Sequence, residues 1–311
     1  MNALYRELNL TKQAVHSYKK KQDLFDRELE QLVIQADIIK SEHPGCGVEK
    51  LYYTLMPNFL GRDAFCEIFL SLGYGVRRIK NYRRTTIPSH INYPNIIEGM
   101  LLDRPYQVLQ SDITYFEIAG KFYYLVFIID VFSREIIGYQ SSDNLRAEAN
   151  LKALRMALSK AGKYSISIHH SDRGSQYGSQ AYRDLLKANQ IEISMGECAQ
   201  DNAYAERVNG IIKNEYLRYW SIDSERKLKS KLTKAVKHYN NQRKHRAFKM
   251  KLSPVEFRES LVDLNPQERP KVIVYARGKP DKIIGTLSPF DFTPREGPQA
   301  HICPLVNSMN Y

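Results

Sequence analysis

Two kinds of hydrophobic pattern divide the chain near residue 106. Upstream, apolar residues recur at helical spacing; downstream they run in alternating or continuous blocks. Residues 3–20 predict two short helices, the second capped by Asn9 or Thr11. They read either as a helix-turn-helix fragment exposing Lys12, Gln13 and His16 or as a plain helical hairpin. Residues 23–41 predict a longer amphipathic helix on Leu24, Leu29, Leu32, Val33 and Ile39. Gly45 and Gly47 break it, and "VEKLYYTLM" and "GRDAFCEIFLSLGY" predict two more helices. Pro88, Pro94 and Pro105, set among polar residues, predict a linker over 86–104.

Beyond it, "YQVLQSDITYFEI" predicts a strand and Gly120-Lys121 a tight turn. "KFYYLVFIID" is apolar throughout, as a strand buried on both faces is, and "EIIGYQSS" predicts a third strand. A helix over 146–161 ends at Gly162. "SISIHHSD" is a fourth strand, "SQAYRDLLKANQ" a helix and "IEISMG" a short fifth strand. Then "DNAYAERVNGIIKNEY" predicts a helix from an Asp201 cap to Tyr216, followed by helices near 223–242 and 254–261. Three strands in hairpin order, then helix alternating with strand, define an α/β class. Residues 263–311 are dotted with proline around one strand-like patch, "KVIVYA".

Charge changes this picture. The formal net charge is +12. Residues 1–50 balance eight Lys and Arg against eight acids, whereas 218–251 carry twelve against two. A basic tract of this size points to a polyanion such as nucleic acid. "VRRIKNYRRT", with Arg77 and Arg78, adds a second basic run suited to phosphates. The four cysteines show no paired spacing, which points to a reducing compartment. His43 and Cys46, with His16 and Cys66, have no zinc-finger spacing. The longest apolar run, Phe122 to Ile129, is far too short for a membrane span, and a cytoplasmic protein is expected.

The candidate chemistry lies in carboxylates. Asp112 sits inside a strand, where an acid costs free energy unless paired or metal-bound. Asp172 follows a strand's C-terminal end, where α/β sheets place function. Glu206 and Lys213, seven residues apart, share one helix face with Asn202 and Asn209. Three converging carboxylates would hold divalent cations against a phosphodiester. Singly, each has a plainer explanation: an edge-strand acid for Asp112, a turn former for Asp172, and an ion pair with Arg207 or Lys213 for Glu206. Asp130 reads as an Asx-type turn, and Glu215 falls on a different side of the helix from the amides.

Five patterns, "QSDITYF", "DVFSREIIGY", "HHSDRGSQYGS", "DNAYAERVNGIIKNEYL" and "YNNQRKHRAFKMKLSPVEF", occur in order over half the chain. Here the chain resembles the IS-three family of insertion-sequence transposases, in their second-frame product with its integrase-type core. The resemblance implies an RNase H-like catalytic core, a mixed five-stranded sheet with flanking helices, preceded by a small all-helical region. It places the family's catalytic triad on Asp112, Asp172 and Glu206, binding two Mg²⁺ (or Mn²⁺) ions, and its helix lysine on Lys213. Arg173, His170, Asn202, Arg243 and Arg246 join Lys213, Arg77 and Arg78 as expected DNA contacts. Expected partners are double-stranded DNA at element ends and target, further copies of the chain on that DNA, and an upstream-frame helix-turn-helix product. The His/His/Cys/Cys zinc module of retroviral integrases has no counterpart in spacing. The expected boundaries are 1–42 helical, 43–85 helical with a basic end, 86–104 linker, 105–262 catalytic core and 263–311 extension. The rival activities are a metal-dependent nuclease that never joins strands and a DNA-binding regulator with an inactive core.

Overall fold

The computed structural model describes residues 11–76, 91–162, 164–274 and 282–284. The first helix predicted within 3–20, the basic run with Arg77 and Arg78, Cys303 and most of the C-terminal extension lie outside the described residues. Two compact units are present. Of the described residues, 11–38 and 47–75 form one; 39–46 and those from 76 onward form the other.

In the first unit the two helices expected across 11–41 are one. Helix α1 runs unbroken over Lys12–Glu42, its final turn belonging to the second unit. The Lys-Lys-Lys-Gln junction holds no glycine or proline, and its long straight side chains favour helix. Thr11 caps it, its Oγ1 accepting from the Ala14 amide at 3.1 Å. Helices α2, Val48–Leu55, and α3, Arg62–Ser71, follow as expected. They pack through Leu51, Phe65 and Phe69, the two phenylalanine rings stacking 4.1 Å apart.

The second unit is built on a five-stranded sheet in the order β4-β3-β2-β5-β6. Strands β2 (Val108–Ile118), β3 (Lys121–Asp130) and β4 (Ile136–Ser142) are antiparallel neighbours; β5 (Ile168–Ser171) and β6 (Glu192–Met195) extend the sheet in parallel. Strand β1, Leu101–Leu102, stands apart from it, within the stretch expected to be a linker. It pairs with β7 (Lys271–Ile273), which pairs with β8 (Lys282–Ile284), in a small antiparallel sheet. Ile97 and Leu102 are fully buried there, so apolar residues override the proline punctuation.

The apolar run of β3 is buried on both faces because helices cover both. Leu125, Phe127 and Ile129 face α6 (Ala203–Ile211), α7 (Glu225–Asn241) and α8 (Pro254–Glu259). Val126 and Ile128 face α4 (Ala147–Ala161) and α5 (Gln180–Ala188). Strand β4 meets α4 so closely that a Cβ on Gly138 would lie 2.3 Å from the Ala153 carbonyl oxygen. No helix among the described residues is long and apolar enough to cross a membrane.

Candidate active site

Strand β2 carries polar residues at the period of its pleat. Gln110, Asp112 and Thr114 project to the face that α6 covers, while Ser111 points to the other face and bonds the Tyr177 hydroxyl at 2.9 Å. Each of the three meets the next part of the α6 segment in turn. The Gln110 carboxamide accepts from the Tyr204 and Ala205 amides at 3.2 and 3.4 Å and donates to the Asp201 carbonyl. It therefore caps the first turn of α6 from a different element, satisfying amides a helix start leaves orphaned. Asn209 donates to Asp112 Oδ2 at 2.7 Å, and Lys213 Nζ donates to Thr114 Oγ1 at 2.6 Å while lying over the Tyr115 ring.

Asp201, expected to cap a single helix, acts one turn earlier. Its carboxylate accepts from the Glu197 and Cys198 amides and closes a 3₁₀ turn, Ala199–Asn202. The predicted helix is thus three segments: that turn, α6, and a π-helical turn over Ile212–Tyr216.

Register brings in Asp172. Ser111 of β2 pairs with Ser171 of β5 in a parallel ladder, so Asp112 and Asp172 follow at the same level on adjacent chains. Neighbouring strands lie about 4.8 Å apart. Asp172 also forms the turn anticipated for it, Oδ1 accepting from the Gly174 amide at 3.1 Å. Glu206 lies one turn from Asn209 on the same side of α6 and is exposed. It pairs with neither Arg207 nor Lys213; among the described residues no hydrogen bond or ion pair to it is present.

The three acids repel one another. Burial first, then the Asp172 and Glu206 charges, hold the Asp112 carboxyl well above the usual range. Although the Glu206 side chain reaches solvent, partial desolvation by the surrounding protein and then the Asp172 charge raise it as well. Lys213 is lowered by burial and by Arg218, with Asp112 opposing. An all-carboxylate set raising its own pKa values fits a hard divalent cation in donor type and charge. As they stand, however, no three His, Cys, Asp or Glu side chains among the described residues converge closely enough to ligate one ion.

Asp130 is not part of this set. It accepts from the Tyr106, Phe132 and Ser133 amides and the Ser133 hydroxyl, and burial pushes it up to about 6. Glu215 faces away from the acids, bound by His43 at 2.7 Å and by Arg243 at 2.8 and 2.9 Å.

Several expected DNA contacts are interior instead. Arg243 is 7% exposed and committed to Glu215. His170 is fully buried against Ser194, and burial lowers it to about 4, so it is neutral and not a phosphate-binding cation. Asn202 is buried and donates to the Ser111 carbonyl. Arg173 pairs with Glu197 at 3.4 Å, Arg246 is exposed on a short 3₁₀ turn, and Lys213 lies beside the acids. Sequence reasoning passed over Gln110 and Tyr177; for Gln110 the alternation Gln-x-Asp-x-Thr was the available signal.

Known proteins match this region. Two integrase core domain profiles match residues 103–200 and 188–252. The transposase for insertion sequence element IS629 of Shigella sonnei is 31% identical over 212 residues, covering 66% of this chain and 71% of that protein. The chain belongs to the insertion-sequence transposases. The insertion element IS600 uncharacterized 31 kDa protein of the same organism is 32% identical over 223 residues, covering 68% of this transposase and 81% of that protein. The Escherichia coli relative InsK of IS150 is 32% identical over 188 residues. Among solved structures, the HTLV-2 integrase catalytic core in complex with magnesium aligns at 24% identity and a TM-score of 0.39, covering 46% of this chain and 90% of that one. The integrase core domain matches fall on the five-stranded sheet and its flanking helices in this transposase.

Proposed function

We propose that this transposase cleaves DNA at element ends and that the freed 3′-hydroxyl then attacks a phosphodiester of another strand, forming a new phosphodiester as that strand's own 3′-oxygen leaves, with Asp112, Asp172 and Glu206 as the acids that would hold two Mg²⁺ (or Mn²⁺) ions. The register match of Asp112 with Asp172, beneath a helix that delivers Glu206, carries the reading. Such ions supply Lewis acidity, activating water or a 3′-hydroxyl and stabilising the leaving oxygen. Asn209 orients the Asp112 carboxylate through its amide, and Gln110 fixes the first turn of α6. Glu206, held by no partner among the described residues, can turn toward the two aspartates. Lys213, farther along the same helix, supplies a cation for a phosphate oxygen of the strand. The proposed substrate is double-stranded DNA bound by several copies of the chain.

The test is incubation with end-labelled duplexes carrying the element terminus and Mg²⁺. Nicked and strand-joined products are expected, with Asp172→Asn and Glu206→Gln abolishing both while duplex binding persists. Nicks that never join would reduce the activity to hydrolysis. Unchanged products from both variants would overturn the assignment.

A further inference from the structure

The π-helical turn that follows α6 has no cause in its own sequence. Ile212–Tyr216 contains neither glycine nor proline, yet the Leu217 amide reaches back five residues to the Ile212 carbonyl. Such turns recur at functional positions. This one separates two demands. Lys213 points to β2, where Nζ meets Thr114 Oγ1. Two residues on, Glu215 points away into a knot of long-range contacts. Arg243 grips its carboxylate with two bonds, and His43 Nε2 adds a third at 2.7 Å. The His43 ring stacks on Tyr216 at 4.6 Å and 7°, and the Tyr216 hydroxyl bonds His238 Nδ1 at 3.0 Å. The Gly45 amide donates to the Glu215 carbonyl at 2.8 Å, and a Cβ on Gly45 would lie 2.4 Å from the Glu215 Cα. A side chain at 45 would force the turn apart.

We infer that Glu215 is a positioning residue for strand cleavage: anchored by His43, Gly45 and Arg243, it holds the π turn that sets Lys213 against β2 beside Asp112. Residues 39–46 are then part of the working core although they lie well upstream of the integrase profile match, which begins at residue 103. The inference rests on the assignment of the three acids above. Glu215 itself touches no acid of that set.

The test uses the full chain carrying Glu215→Gln, which keeps the shape and removes the charge, with Lys213→Ala, the double variant, and Asp112→Asn as control. Outer-shell partners of catalytic groups typically cost 10–100-fold on substitution. The single-turnover cleavage rate with Mg²⁺ should therefore fall about 10–100-fold, with KM for the duplex within about twofold. The double variant should be no slower than Lys213→Ala alone, since both changes remove one effect. Independently of activity, acetylation of Lys213, mapped by mass spectrometry, should rise several-fold in Glu215→Gln. Wild-type cleavage with Lys213 still protected, or losses that multiply in the double variant, would overturn the inference. If Glu215→Gln does not fold, His43→Gln, which leaves the Arg243 pair, carries the same measurements. Cleavage unaffected by Asp112→Asn would sink the assignment of the acids instead, and Lys213 acetylation would still decide the role of Glu215.

Discussion

Asp112→Asn should make the ion-free protein more stable while destroying its activity. Asp112 and Asp172 stand level on adjacent parallel strands, and the Asp112 carboxyl is raised by burial and by both neighbouring acids. Two like charges about 5 Å apart repel by about 3 kcal/mol at an effective dielectric of about 20. Partial exposure and salt reduce this to roughly 2 kcal/mol. The substitution keeps the local hydrogen bonds. The carboxamide oxygen it introduces still accepts from the Ile113 amide. The Asn209 amide, whose Oδ1 is buried without a partner, need only turn over to accept from the introduced side-chain nitrogen. For a unit of this size, about 2 kcal/mol corresponds to roughly 4–8 °C in Tm.

Thermal melts at pH 8 in EDTA and low salt measure the gain. The sign follows from the raised pKa. In the wild type the penalty is present above the folded pKa of Asp112, where the carboxylate is charged. It declines as pH falls below that raised pKa and is gone only below the ordinary carboxylate range of the unfolded chain. The advantage of Asn should therefore shrink on acidification. Mg²⁺ should act the other way, stabilising the wild type by mass action and the variant less, so that the gap closes or reverses. An Asp112→Asn protein that melts at or below the wild type in EDTA, or a gap indifferent to Mg²⁺, would refute the idea that these acids are held together against their own repulsion.

Three further outcomes follow from the packing. Gln110→Leu strands two helix-start amides and the Asp201 carbonyl in a buried setting, and should cost about 3 kcal/mol in urea denaturation, with a matching fall in cleavage. Gly138→Ala, which drives a Cβ into the Ala153 carbonyl, should cost about 1–3 kcal/mol or more; an unchanged urea midpoint would show that β4 and α4 can separate freely. His238 is buried beside Tyr216 and lowered by burial to about 4, so the fold binds fewer protons there than the unfolded chain, and its contribution is lost as pH falls from 6.5 toward 4. His238→Gln should flatten stability across that window by about 1.4 kcal/mol per pH unit, and parallel profiles would contradict it.

Most of the core was legible because its signals are local. The acid set inside the strand at Asp112, the doubly buried run of β3 and the helix stop at Gly162 each lie within a short stretch of chain. The seven-residue spacing from Glu206 to Lys213 also survived: Lys213 meets β2 at Thr114, on the side where Asn209 meets Asp112. What lay beyond reach were polar residues whose surroundings come from distant segments. Arg243 and His170 read as surface cations, since nothing adjacent in sequence announces that the Glu215 carboxylate or the Ser194 hydroxyl will bury them. Glu215 takes one partner 172 residues upstream and another 28 residues downstream. Its pull toward His43 and Arg243, opposed by the pull of Lys213 toward Thr114, is reason enough for a helix to take up an extra residue per turn where its own residues would continue as α. The element that departs most from its local preference is therefore the one that joins the candidate site to His43 and Gly45, just past the end of α1, and local reasoning fails there because the constraint is shared between segments.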